Sequence, residues 1–306
     1  MSDESATAKQ HNDESAPATH HQDGEATTSQ PQNGEAATPQ PQNDEATSES
    51  RAQKDSSGEG TEPILTAESL TQRYGAVPVF EDLEVEIEPA SVTALIGPNG
   101  SGKTTLLRAL AKLYRPTSGR VQYHGPSVPR PIGYLPQQPR FRPGFSVRET
   151  LSFYARLVSG DREHATETAT DALERVGLEA AADRPVEALS GGMTRLLGIA
   201  QATIGDPPVV VFDEPASGLD PGMGLRVFDV ATDLAEAGTA VIVSSHDLEL
   251  VETHADTVFM LDSGEFVAHG PPNSLYAAHE ADSLLEVYRA AISGDADRVR
   301  VRGDGK

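Results

Sequence analysis

Lysine is scarce in this chain: of 306 residues only Lys9, Lys54, Lys103, Lys112 and Lys306 are lysine. One of them, Lys103, stands where a glycine loop meets an apolar run. The loop reads "GPNGSGKT", Gly97 to Thr104, and has the spacing G-x-x-x-x-G-K-[S/T]. Its glycines let the backbone fold tightly, so that successive N–H groups can point at one anion. A helix starting here adds the positive end of its dipole. Lys103 can reach β- and γ-phosphate oxygens, and the Thr104 hydroxyl suits Mg²⁺, a hard ion that prefers oxygen. Gly97, Pro98, Asn99, Gly100, Ser101, Gly102, Lys103, Thr104 and Thr105 therefore form the expected cradle of a nucleoside triphosphate.

Two acids follow an apolar run in "VVVFDEP". Asp213 is placed at the tip of a buried strand, where it can hold Mg²⁺ through water. Glu214 is placed to polarise an attacking water or accept its proton. His246 follows a further apolar run, "AVIVSS". If those strands are neighbours, it reaches the same sheet edge, near the γ-phosphate. Ser190, Gly191 and Gly192 directly precede a helical pattern and make a second anion-binding helix start. Either the chain binds a second anion, or this element closes on the triphosphate of another copy.

These residues need strands and helices that deliver them together. "FEDLEVEIEP" alternates Leu83, Val85 and Ile87 with Glu84, Glu86 and Glu88, the period-two mark of a half-exposed strand. "VTALIG", "PVVVFDEP" and "TAVIVSSHD" contain fully apolar runs, as buried strands do. "KTTLLRALAKLY", "GMTRLLGIAQATIG" and "GLRVFDVATDLAEAG" read as helices, and "DTVFMLDSGEFVAHG" as a hairpin-like pair. From Val147 to about Val176 the pattern is helical, and beyond Pro271 one amphipathic helix and a frayed end are expected. Continuous apolar strands alternating with helices predict an α/β fold. Its parallel sheet is covered on both faces, with ligands at the carboxyl ends of the strands.

Composition narrows the partners. The net charge is −23, from 47 acidic and 24 basic side chains spread along the chain. Such acidity repels phosphate backbones and argues against a nucleic-acid partner. Dispersed acid with little lysine resembles the cytoplasmic proteins of salt-loving microbes. Without cysteine there is no disulfide framework and no thiolate chemistry. No apolar run approaches the roughly 20 residues of a membrane-spanning helix, and the start "MSDESATAKQHNDES" lacks an apolar signal segment. Residues 1–60 repeat "NDESA", "QDGEA", "QNGEA" and "QNDEA" without large apolar side chains after Met1, which predicts a disordered acidic tail. His11, His20 and His21 within it are expected to be solvated rather than metal-bound.

Together the motifs resemble the ATPase subunit of ABC transporters, from about Leu65 to Gly270 and in that family's order. "GPNGSGKT" matches the phosphate loop, "LSGGM" the signature, and "VVVFDEP" the acidic strand. The resemblance implies a P-loop core with a mainly parallel sheet over residues 61–270. A small antiparallel β-subdomain and a helical subdomain at about 139–192 belong to it, followed by a C-terminal helix and tail at 271–306. It implies ATP and Mg²⁺ as cofactors, a second ATPase subunit, and separate membrane permease subunits, with the chain peripheral on the cytoplasmic face of the membrane. "TQRYG" resembles the segment whose aromatic stacks on adenine, giving Tyr74. "GYLPQ" resembles the loop whose glutamine touches Mg²⁺ and the membrane partner, giving Gln137, with Gln138 beside it as the alternative. "SGLD" places Asp220 at the dimer interface, and "SSHD" makes His246 the switch histidine. The resemblance assigns catalysis to Glu214, His246 and Lys103, the metal to Thr104, Gln137 and Asp213, and the partner's γ-phosphate to Ser190, Gly191 and Gly192. Met193 departs from the commoner glutamine. The segment between Gln137 and Ser190 is the implied arm for the membrane subunit, with Phe141, Phe145, Phe153 and Tyr154 as apolar contributors. "FSVRETLSFYARLVSG" resembles exporter-type ATPases and the type linked to copper handling for nitrous oxide reductase. The rival reading is a soluble ABC ATPase acting on nucleic acid or ribosomes. Those relatives usually carry paired cassettes, coiled-coil arms or zinc modules, whereas this chain has one cassette and no cysteine.

Overall fold

Five parallel strands put their carboxyl ends along one edge, and the loops leaving four of them build the site. The computed structural model describes residues 62–161 and 164–293. The tail expected over residues 1–60, with its three histidines, lies outside them.

The large sheet has six strands. They are β3 (Val92–Ile96), β5 (Ile132–Leu135), β6 (Val209–Phe212), β7 (Ala240–Ser244), β8 (Thr257–Asp262) and β9 (Glu265–Gly270), in the order β5-β6-β7-β3-β8-β9. All neighbours are parallel except the β8–β9 hairpin. Leu135 pairs with Phe212, Phe212 with Val243, and Leu95 with Ser244, so the strand ends lie level. Alternation sorts the side chains between two cores. Val209 and Val211 join Ala240 and Ile242 on one face, while Val210 and Phe212 join Val241 and Val243 on the other. Such two-sided burial is why these strands read as unbroken apolar runs.

The first face is covered by helix α1 (Lys103–Leu110) and a small antiparallel sheet of β1 (Leu65–Tyr74), β2 (Val77–Ile87) and β4 (Ser118–Tyr123), ordered β2-β1-β4. In β2 the alternation of Leu83, Val85 and Ile87 is as expected, but Phe80 is also buried, out of step. Asp82 resets the phase with a φ of 54°, at an irregularity in the pairing with β1. The second face carries α2 (Val147–Ser159), α3 (Ala165–Val176), α4 (Gly191–Thr203), α5 (Pro221–Glu236) and α6 (Leu248–His254). Ser146 and Glu149 form a reciprocal capping box at the start of α2. Left-handed Gly160 ends α2, so the helical stretch from 147 to 176 is two helices.

The C-terminal stretch also differs from expectation. It forms two helices, α7 (Pro272–His279) and α8 (Leu284–Ser293), instead of one. Glu280 takes a left-handed φ of 52° and closes α7, allowing α8 to turn back on the fold with Leu284 and Val287 fully buried. Among the described residues no helix is long and apolar enough to cross a membrane.

Candidate active site

A cleft of about 730 Å³ opens at the carboxyl ends of four of the five parallel strands, β3, β5, β6 and β7. Of the residues singled out from the sequence, Gly97, Pro98, Asn99, Gly100, Gly102, Lys103, Thr104, Thr105, Gln137, Glu214 and His246 line it. They come from the loops after β3, β5, β6 and β7, and the strand order makes these loops neighbours. Two glycines of the first loop are required by geometry. Gly97 has a φ of 152°, and a Cβ there would stand 2.0 Å from the Leu261 carbonyl oxygen. Gly102 has a φ of 111° at the start of α1.

Lys103 folds back over this loop, its Nζ donating to the carbonyls of Gly97 at 2.7 Å and Pro98 at 3.0 Å. Burial holds its ammonium below the ordinary lysine value, with Glu214 and Asp213 pulling it up in part. The α1 N-terminus has no acidic side chain in its first turn and no side-chain cap, which leaves its N–H groups to an incoming anion.

Asp213 is fully buried behind the cleft. Its Oδ1 accepts from the hydroxyls of Thr104 at 3.0 Å and Ser244 at 3.1 Å, and its Oδ2 from Tyr134 at 3.3 Å. Glu214 adopts a left-handed φ of 47°, uncommon outside glycine. Its N–H donates to Ser244 Oγ at 2.9 Å, and its carbonyl accepts from Ser217 N at 3.2 Å. The turn aims the carboxylate into the cleft. There Oε2 accepts from Gln137 Nε2 at 2.8 Å and lies 4.0 Å from His246 Nδ1. The buried Arg195 donates to the carbonyls of Gln137 and of Ser217, fixing both loops from below. Gln137, and not Gln138, is the glutamine that lines the cleft.

Several sequence-derived residues lie elsewhere. Tyr74, 61% exposed, does not line the cleft. Ser101 is buried within the loop with its hydroxyl unpartnered among the described residues. Ser190, Gly191 and Gly192 open α4 outside the cleft lining, with Ser190 Oγ accepting from Met193 N at 3.3 Å. Asp220 caps α5, also outside it.

Sequence reasoning missed Val79, Ser217 and Tyr288 in the cleft wall, and Ser244, Tyr134 and Arg195 behind it. Ser217 and Ser244 fall within or beside motifs already noted, so their proximity was available. Tyr288 comes from α8, and no local pattern announces it. Thr104, Asp213, Gln137 and Glu214 offer the oxygen donors a Mg²⁺ ion takes, and the hydroxyl of Thr104 already faces the Asp213 carboxylate.

The family model described as "ABC transporter" matches residues 80–217. The Nod factor export ATP-binding protein I of Ralstonia nicotianae is 33% identical over 82% of this chain and 83% of its own. The daunorubicin resistance ATP-binding protein DrrA3 of Streptomyces coeruleorubidus is 33% identical, covering 74% of each chain. Among solved structures, cbiO1 from Clostridium perfringens, part of the ABC transporter complex cbiONQ, superposes with a TM-score of 0.64 at 27% identity, over 71% of this chain and 91% of that one. An ATP binding subunit of an ABC transporter, 24% identical with a TM-score of 0.67 over 74% of this chain and 99% of that one, shares the fold. The rival reading as a nucleic-acid or ribosome ATPase finds no support in these likenesses. The chain belongs to the ABC transporter family, as an ATP-binding and ATP-hydrolysing subunit.

Proposed function

We propose that this ATPase works as a pair of copies on the cytoplasmic face of a membrane, driving solute export through separate permease subunits. One observation carries the paired arrangement. The cleft gathers Lys103, Thr104, Gln137, Glu214 and His246, while Ser190, Gly191 and Gly192 begin a different helix away from its walls. An anion-binding helix start with no role in its own cleft suits the γ-phosphate of a facing copy. Export is favoured by the names of two relatives, a Nod factor export protein and a daunorubicin resistance protein. The docking face for the permease would be the exposed side of α2, where Phe153 is 45% and Leu157 65% exposed.

In this reading the bound triphosphate draws Lys103 away from the carbonyls of Gly97 and Pro98 and onto the β- and γ-phosphates, with adenine toward Tyr74. Thr104, Gln137 and, through water, Asp213 would hold Mg²⁺, whose charge offsets that of the phosphates. Glu214 accepts the proton of the attacking water while the Pγ–O bond to the β-phosphate breaks in line. His246 and Gln137 fix the carboxylate and the water. Asp220 and the Ser190 segment of the facing copy complete the enclosure. Placement and charge neutralisation supply most of the acceleration. The two copies close on ATP because it touches both only in the closed state, and reopen when the γ-phosphate leaves.

A pulldown of the full chain from detergent-solubilised membranes tests the assembly. Recovery of an integral membrane protein is expected. Recovery of ribosomes or DNA without one would reject the transporter assignment.

A further inference from the structure

The C-terminal helix α8 puts one side chain, Tyr288, into the cleft wall beside Val79 and the phosphate loop. No motif accounts for this, and the helix is firmly seated. Leu284 and Val287 are fully buried on its inner side. Its first N–H, from Leu284, donates to Glu252 Oε1 at 3.1 Å, and Tyr276 of α7 donates to the same oxygen at 2.6 Å. Glu252 lies on α6, six residues after His246. The ring of Tyr288 is therefore held from behind, with little conformational freedom left to lose when a ligand arrives. Its hydroxyl makes no hydrogen bond among the described residues. Burial and the nearby Asp262 push its proton affinity up, so the phenol stays a donor across the physiological range. A half-buried phenol with an unused donor, in a wall built around an anion cradle, matches the chemistry of a phosphate oxygen.

We propose that Tyr288 is a nucleotide-contacting residue, donating its hydroxyl to the phosphate chain of the bound nucleoside triphosphate and so making α8 part of the nucleotide site. The contact rests on the reading of the cleft as an ATP site. It also links the C-terminal helices, and α6 behind His246, to occupancy of the cleft: α8 is seated more firmly when nucleotide is bound.

Two variants of the full chain test it, Tyr288→Phe and Tyr288→Ala, with ATP dissociation constants measured by titration calorimetry and unfolding midpoints measured without nucleotide. Tyr288→Phe keeps the ring and removes only the donor. A hydrogen bond to a charged acceptor lost this way raises the dissociation constant about tenfold, and the nucleotide-free midpoint stays at the wild-type value. Wild-type binding with an unchanged constant in Tyr288→Phe would overturn the contact alone, including the case where only Tyr288→Ala weakens binding and the ring acts as a passive wall. A wild-type chain that binds no ATP would sink both this contact and the reading on which it rests.

Discussion

Gln137 donates its amide to the Glu214 carboxylate across 2.8 Å, joining the loop after β5 to the loop after β6. Among the described residues no other hydrogen bond holds Gln137's side chain, whereas its backbone carbonyl is held separately by Arg195. Replacing Gln137 by alanine therefore frees the carboxylate without loosening the loop. The turnover number is expected to fall about tenfold through misplacement of the base, with stability within about 0.5 kcal/mol of wild type. Steady-state ATPase kinetics with urea unfolding measure both. Unchanged turnover would remove Gln137 from the positioning of Glu214.

Ser244 is the hidden support of the two acids. Its hydroxyl donates to buried Asp213 and accepts from the Glu214 N–H, holding the left-handed turn. Ser244→Ala leaves a buried carboxylate one donor short and a backbone N–H without its acceptor. The expected loss is about 2–4 kcal/mol of unfolding free energy, read from denaturant midpoints, together with slower hydrolysis. A loss below about 0.5 kcal/mol would mean that water replaces the hydroxyl at no cost.

Lys103 gives a pH dependence with a definite sign. Its folded-state proton affinity is lowered by burial from the ordinary 10.5. Between the lowered value and 10.5 the unfolded chain binds the additional proton, so this group makes folding more favourable as pH rises through that window. Phosphate binding runs the other way, because it requires the ammonium. ATP affinity should fall as pH rises through the same window, starting below the range where a solvated lysine titrates. A Lys103→Arg variant, whose guanidinium stays charged, should bind with a flatter profile. Equal profiles in binding titrations from about pH 7 upward would show that Lys103 does not carry the effect.

Much of this arrangement was legible in the amino-acid order, and the reasons are physical. The loop Gly97–Thr104 needs its residue types locally, for tight backbone and a single cation, so eight consecutive positions declare it. Strands β3, β6 and β7 are buried on both faces, so Val, Ile and Ala runs betray them. What stayed hidden depends on contacts distant along the chain. The bulge at Asp82 follows from pairing with β1, and the break between α7 and α8 from a left-handed glutamate that no turn residue marks. Tyr288 reaches the cleft only because α8 folds back over α6. The positions of Ser190 and Asp220 away from the cleft were foreseeable only in the sense that a second anion-binding helix start needed a second anion or a second copy.

The account turns on two copies closing around nucleotide, and Glu214→Gln isolates that step. The amide should keep ATP binding near wild type while slowing hydrolysis by about 10² to 10⁴, so the closed pair accumulates. Light scattering on this variant, with and without ATP and Mg²⁺, measures it directly. The account predicts the mass of one chain without nucleotide and of two chains with it. A particle that stays at the mass of one chain while saturated with ATP would contradict it.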